Sequence, residues 1–219
     1  MEHSGEYIPY KKDNQLVIAV CGPSTSGKST IAKQILEKYE KHKDQIEIMT
    51  MDHFFDFDNA GKINIYGKDF TDLDSPKSYK WNDFYKSISE NNSPILLIDG
   101  FILFADKRSK DLFDACIVIE YNIDTDYEIA LDRRIHRRPS DKEKIIEKDY
   151  LQNPHKNSIN QDCTYFHEVV WPEMINHPEY RKPQNWGKPI LTLSATNDLQ
   201  ENVTLAYNFI KPLIDSKLK

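Results

Sequence analysis

The chain has 219 residues, 39% of them hydrophobic and 29% charged, with a formal net charge of −6. This is the composition of a soluble α/β-sized domain with enough chain to bury a core. The acidic balance argues against a protein that coats nucleic acid, and no apolar run approaches the roughly 18 residues of a membrane helix. The three cysteines are widely spaced. Cys21 and Cys116 fall in apolar runs and read as small buried hydrophobes in a reducing compartment. Residues 1–14 are polar, lack the apolar core of a secretory signal and read as a flexible arm. The expected location is cytoplasmic.

From residue 15 the chain alternates strands and helices. Residues 16–21 are an unbroken apolar run, as in a parallel strand covered on both faces. Gly22-Pro23-Ser24-Thr25-Ser26-Gly27-Lys28-Ser29 follows, a G-x-x-x-x-G-K-S phosphate-binding loop (P-loop) pattern. A helix is expected over 28–41, with Ile31, Ile35 and Leu36 on one face. The glycines let the backbone curl around a phosphate, and the N–H groups at the helix start favour an anion. The loop residues Gly22, Ser24, Thr25, Ser26, Gly27, Lys28, Ser29 and Thr30 are thus expected to hold ATP. Lys28 would sit on the β- and γ-phosphates and the Ser29 hydroxyl on Mg²⁺.

A second strand, 47–51, ends at Asp52. Residues 53–74 show no clear period and read as a long functional loop. Ser75 and Pro76 open a helix running to about 90, with Trp81, Phe84, Tyr85 and Ile88 on its apolar side. The third strand, 94–99, ends in Asp99. A fourth, 115–121, leads to a helix over 124–138 that ends in Arg133, Arg134, Arg137 and Arg138. Residues 139–161 form a charged insertion with a short helix at 141–150. An amphipathic helix at 165–175 carries Pro172 as a break or kink. After a proline-rich loop come a last strand, 189–193, and a last helix, 198–217, bent or ended near Pro212. This alternation predicts an α/β fold with a central parallel five-stranded sheet covered by helices on both faces.

In open parallel sheets, ligands bind beyond the carboxyl ends of the strands. The loop, Asp52 and Asp99 should therefore converge. Asp99 is the candidate acidic residue beside Mg²⁺, directly or through water. Asp52 is the candidate base that orients an acceptor hydroxyl and takes its proton. Asp56, Asp58, Asp69, Asp72 and Asp74 stand nearby as alternatives. Arg133 and Arg137 share one helix face, and Arg134 and Arg138 another. They read either as a lid that closes on ATP or as an exposed helix end whose charge suits the macrodipole. There is no Asn-Lys-x-Asp motif, no H-E-x-x-H, no zinc spacing and no protein-kinase catalytic loop.

Residues 22–30, Met51-Asp52-His53-Phe54-Phe55, Asp72-Leu73-Asp74-Ser75-Pro76 and Ile98-Asp99-Gly100-Phe101-Ile102-Leu103-Phe104 together resemble the uridine kinase-like branch of P-loop kinases. Within that branch the sequence is most similar to nicotinamide riboside kinases. The resemblance runs from about 16 to 171, through Asp132-Arg133-Arg134-Ile135-His136-Arg137 and Tyr165-Phe166-His167-Glu168-Val169-Val170-Trp171-Pro172. It implies a P-loop kinase domain over 15–219, with an acceptor-binding insert at 53–90 and a lid at 133–163. It implies Asp52 as base, Asp99 at the metal, Asp74 and Arg134 on the ribose hydroxyls, and Arg137 with Arg133 near the phosphates. Phe55, Tyr66 and Tyr165 are expected on the acceptor. The implied reaction is ATP- and Mg²⁺-dependent phosphorylation of a riboside 5′-hydroxyl, with nicotinamide riboside (and nicotinic acid riboside) in NAD synthesis as the leading substrate. Leu73 where an aromatic is common, His167 where an acid is common, and the long 139–161 insertion leave base specificity open. Uridine/cytidine kinase is the alternative. A non-catalytic nucleotide-binding regulator is another, and Asp52 and Asp74 argue against a nucleoside-monophosphate kinase. The expected partner is a small-molecule riboside, with no nucleic acid and no membrane, in a monomer or small homo-oligomer.

Overall fold

In a computed structural model, which describes residues 10–137, 149–153 and 156–218, the first apolar run is β1 (Leu16–Cys21), buried along its whole length. The glycine loop leads into α1 (Lys28–Lys38), and β2 (Ile46–Thr50) follows. Then come β3 (Lys62–Ile65), β4 (Lys68–Thr71), α2 (Trp81–Glu90), β5 (Ile95–Gly100), α3 (Ser109–Leu112) and β6 (Ala115–Glu120). The remaining elements are α4 (Tyr127–Ile135), α5 (Ser158–Tyr165), α6 (Trp171–Asn176), β7 (Ile190–Ser194) and α7 (Leu199–Lys217).

The main sheet has the order β2-β5-β1-β6-β7, every pair parallel, with β1 at its centre. Alternate residues of a strand face opposite sides, and β1 supplies both cores. Leu16, Ile18 and Val20 pack with Ile31 and Ile35 of α1 and Val203 and Ile210 of α7. Val17, Ala19 and Cys21 pack with Phe84 and Ile88 of α2 and with Leu103 and Phe113. The five-stranded α/β sheet with helices on both faces is therefore the observed architecture, a P-loop kinase fold.

Four local expectations need correction. The stretch at 53–74 is not an irregular loop: β3 and β4 form an antiparallel hairpin with Ile63 opposite Phe70. Tyr66 (φ 49°) and Gly67 (φ 81°) make its turn, a left-handed pair whose twist matches that of the flanking strands. The helix expected from Pro76 is a single turn, Pro76–Ser78, followed by extended Tyr79; α2 starts only at Trp81. A bridge between Tyr79 and Phe55 holds that residue out of the helix. The arginine-bearing helix is shorter than expected, ending at Ile135. Pro212 does not end α7, because buried Ile210 and Ile214 hold the helix on either side of it.

Pro172 does not break its helix either. A widened π-helical stretch, Phe166–Val170, joins α5 to α6 with helical backbone on both sides. Proline removes one N–H and crowds the carbonyl four residues back, that of Glu168. A wider turn just before it relieves that clash. The short helix expected at 141–150 lies outside the described residues, apart from a turn at 149–150.

Gly22 ends β1 where no side chain fits. A Cβ there would lie 2.6 Å from the Ile119 carbonyl oxygen and 2.6 Å from Ser26 Oγ. Gly22→Ala is expected to lose about 1–3 kcal/mol, the usual cost of overpacking. Exposed Gly61, whose nearest neighbour would be 3.7 Å away, should tolerate alanine within about 0.5 kcal/mol. Urea denaturation of both variants reads the difference; matching midpoints would refute the close-approach argument.

Candidate active site

The donor end is built on the turn after β1. Gly22 N–H donates to the Gly100 carbonyl at 3.3 Å, tying the loop to the end of β5. Gly27 has φ 94° and Thr25 φ 66°; a non-glycine residue holds the left-handed region only when its surroundings fix it. Tyr121 does so: its hydroxyl donates to the Thr25 carbonyl at 2.8 Å. Lys28 is half-buried at the start of α1, and Ser29 and Thr30 are exposed. The loop opens on a cavity of about 500 Å³, a size that admits a nucleotide.

Thr25, Ser26, Gly27, Lys28, Ser29 and Thr30 line this cavity. Asp132, Arg133, His136 and Arg137 line it too, as do Ala195, Asn197, Leu199 and Asn202. Arg133 and Arg137 thus line the same cavity as the loop. Arg133 Nη1 donates to the Ala195 carbonyl at 2.7 Å, joining the last two groups. Tyr121 and the 195–202 segment went unread in the sequence. The signal for the latter was available: it follows the last strand at the same carboxyl edge as the loop.

The acceptor end is set by strand register. Asp99 is paired with Val20 of β1 on one side and with Thr50 of β2 on the other. Asp52 and the phosphate loop therefore leave the same edge with one strand between them, a gap of roughly 10 Å. Asp52 is exposed, in a tight helical turn directly after β2. Asp99 is buried, and its Oδ1 has no hydrogen-bond partner. A buried carboxylate oxygen without a partner is costly. Mg²⁺, bound through few carboxylates together with phosphates and waters, would satisfy it, with the Ser29 hydroxyl as second donor. The residues present fit that ion.

Asp74 is buried beside the loop. Its Oδ2 accepts from the Tyr165 hydroxyl at 2.7 Å, and that hydroxyl in turn accepts from Leu73 N–H at 3.0 Å. Burial pushes the Asp74 carboxyl up to about 6; the Tyr165 hydrogen bond and the Arg134 charge oppose the rise, and Asp72 and Glu173 add to it. The folded state therefore keeps a proton that the unfolded chain releases near 3.8. The resulting stability is complete below that pH and is lost as pH rises through about 6.

Arg134 links the two ends. Its Nη1 donates to Ser24 Oγ at 2.8 Å, its Nη2 lies 3.8 Å from Asp162 Oδ1, and its Nε is buried without a partner. Ser24, Asp74, Phe101, Glu173 and Arg181 line a second cavity of about 10 Å³, room for a single water. Arg181 is a buried cation whose Nη2 donates to the Met174 carbonyl, and burial lowers its pKa. Nothing in the proline-rich sequence around Arg181 marked it.

Phe55, Tyr66 and Tyr165 line neither of these two cavities. Phe55 packs its ring 4.6 Å from that of Tyr79. Tyr66 sits exposed at the hairpin tip and donates to Glu168 Oε1 at 2.6 Å. The Tyr165 ring is stacked on Phe70 at 5.9 Å, and its hydroxyl is committed to Asp74. Tyr165 acts on Asp74 rather than offering an open face to a base.

The Phosphoribulokinase / Uridine kinase family model matches residues 17–93, from β1 through α2 to the threshold of β5. Uridine-cytidine kinase A of Dictyostelium discoideum is 26% identical over 61% of this chain and 30% of its own length. Uridine kinase of Limosilactobacillus reuteri is 27% identical over 56% of this chain and 64% of its own. The chain thus spans less than two thirds of either relative. Uridine kinase of Bacillus subtilis is 24% identical over 73% of this chain and 87% of its own. Among solved structures, a gluconokinase from Sinorhizobium meliloti superposes with a TM-score of 0.50 at 12% identity, covering 94% of this chain and 97% of that one. The chain has the P-loop kinase fold and carries sequence similarity to the uridine kinase family over its N-terminal, phosphate-binding part.

Proposed function

We propose that the protein is a kinase that transfers the γ-phosphoryl group of ATP to the 5′-hydroxyl of a riboside. The observation that carries the reading is the register at the sheet edge. The phosphate loop with Lys28 and Ser29 on one side, and Asp52 on the other, flank the buried, unpartnered carboxylate of Asp99. Lys28, Arg133 and Arg137 face the donor's phosphates and offset the charge that spreads over the transferring group. Asp52 orients the acceptor hydroxyl and takes its proton. Asp74, held by Tyr165, and Arg134 bind the sugar hydroxyls. Mg²⁺, held by Ser29 and Asp99 when bound, neutralises phosphate charge.

The relatives named above are uridine and uridine–cytidine kinases, which favours a pyrimidine nucleoside over nicotinamide riboside as acceptor. Leu73 offers no aromatic ring to stack on a pyridine, which leaves Tyr66, Phe70 and Tyr165 as the aromatic candidates, the last two stacked on each other. A coupled assay of ATP consumption with uridine, cytidine and nicotinamide riboside tests both levels. Uridine or cytidine should give the highest kcat/KM. No turnover with any of the three would refute the riboside reading.

Asp52→Asn should lower kcat by about 10²–10⁴-fold while leaving ATP affinity within about threefold, since the base contributes to transfer rather than to donor binding. Equal losses in both would remove Asp52 from the role of base. Asp74 gives a pH signature. Its carboxyl accepts hydrogen bonds from sugar hydroxyls more strongly when ionised, and burial raises its pKa to about 6 among Tyr165, Arg134, Asp72 and Glu173. Acceptor KM should fall as pH rises from 5 to 7, by about tenfold if one proton controls binding. In Asp74→Asn that slope should disappear. A KM flat with pH in the unmutated enzyme would refute the assignment.

A further inference from the structure

We infer that Asn202 reads the 6-position of the donor's base, so that the protein selects adenine over guanine nucleotides. The inference rests on the nucleotide reading of the larger cavity and deepens it. The loop and the start of α1 take the phosphates in that cavity. That leaves the rest of the lining for the base, including Ala195, Asn197, Leu199 and Asn202. Leu199, 38% exposed at the first turn of α7, supplies an apolar wall for a flat ring.

Asn202 is the polar member of an otherwise apolar face. Val203, Ala206, Ile210 and Ile214 of the same helix are buried in the core, and Asn202 is itself only 2% exposed. Its backbone N–H is already satisfied by the Asp198 carbonyl at 3.0 Å. The helix start needs nothing from it, because Asp198 Oδ1 accepts from the N–H groups of Gln200 and Glu201. The orientation of the side-chain amide is fixed by chemistry. Nδ2 lies 2.7 Å from the Ser194 carbonyl, which can only accept, so the nitrogen must face it. Oδ1 is left buried without a partner, a state that folded proteins avoid unless something pays for it.

A ligand donor would satisfy that oxygen. The 6-amino group of adenine is such a donor. Guanine and hypoxanthine carry a carbonyl at the same position and would set acceptor against acceptor. A site built around a hydrogen-bonding group rejects a ligand that cannot pair with it far more strongly than an apolar pocket rejects an extra group.

Calorimetric titration of the full chain with magnesium complexes of ATP, GTP, inosine triphosphate and purine riboside triphosphate tests this without an acceptor. The identity of the riboside therefore does not enter. ATP should bind about tenfold tighter than the inosine and guanosine nucleotides, with purine riboside triphosphate between them. In Asn202→Leu, which keeps the volume and removes the amide, the ATP-to-inosine-triphosphate ratio should collapse toward unity, with a thermal melt confirming that the variant is folded. The unmutated series stands alone if that variant does not fold. Equal affinity of the unmutated protein for ATP and inosine triphosphate overturns the assignment, as does an intact ratio in a folded leucine variant. Failure of all four nucleotides to bind removes the donor cavity itself, and the inference with it.

Discussion

The site depends on one backbone-to-backbone contact. β1 runs through the middle of the sheet and ends at Gly22, pressed against the Ile119 carbonyl of β6 and bonded to the Gly100 carbonyl of β5. With both neighbours fixing it, the chain turns out of the sheet with almost no freedom. The following amides are set in place before any phosphate arrives, which is how preorganised donors gain their effect. The platform beneath is stiff because β1 is buried on both faces, each large aliphatic side chain contributing on the order of 1.5–3 kcal/mol. That reserve tolerates the left-handed Thr25 and the unpartnered oxygens of Ser26 and Asp99. Local violations of packing rules gathered on a regular scaffold are what a functional site looks like.

Acceptor recognition is assembled differently, from parts outside the sheet. The β3–β4 hairpin carries Tyr66 at its tip and Phe70 on its inner face. The first reaches Glu168 and the second covers Tyr165. Both contacts fall at or beside the widened helical turn that precedes Pro172. Tyr165, at the end of α5 beside that turn, holds Asp74. Under the proposed function, an acceptor pocket bounded by the hairpin and the widened helical turn would change its base preference without any change in β1 or the loop. The family model matches residues 17–93, a span that holds the hairpin as well as the phosphate loop, and the P-loop alone does not name the substrate.

The strands were legible because parallel strands covered on both faces must be continuously apolar, and 16–21, 94–98 and 115–119 are. The phosphate loop was legible because few residue types suit a turn against two neighbouring strands. The hairpin was not. Its strands are four residues each, and much of their surface is exposed, so alternation is short and weak. Tyr66-Gly67 is a less familiar turn pair than Asn-Gly. Asp52 was readable as a carboxylate at a strand end and Asp74 only through the family resemblance, and the partner that holds Asp74 was not readable. Tyr165 lies 91 residues away in sequence and reaches it only through tertiary packing. Arg181 and Asn202 were missed for the same reason. A single buried polar residue leaves no periodic trace, and its meaning lies in what surrounds it.

Charge completes the argument. The chain is acidic overall, at −6, yet its proposed ligand is a polyanion. What matters to a bound nucleotide is the local potential within a cleft of low dielectric, not the sum over the surface. Lys28, Arg133 and Arg137 line the larger cavity with one acid among the described residues, Asp132. Across the loop, Arg134 and Arg181 lie beside Asp74 and Glu173. Among the described residues, positive charge is thus in excess where the proposed donor phosphates would bind and balanced where the proposed sugar would bind. This partition favours a neutral acceptor: an acceptor phosphate would have to displace the balancing carboxylates, whereas hydroxyl groups can bridge between the arginine donors and the carboxylate acceptors already there.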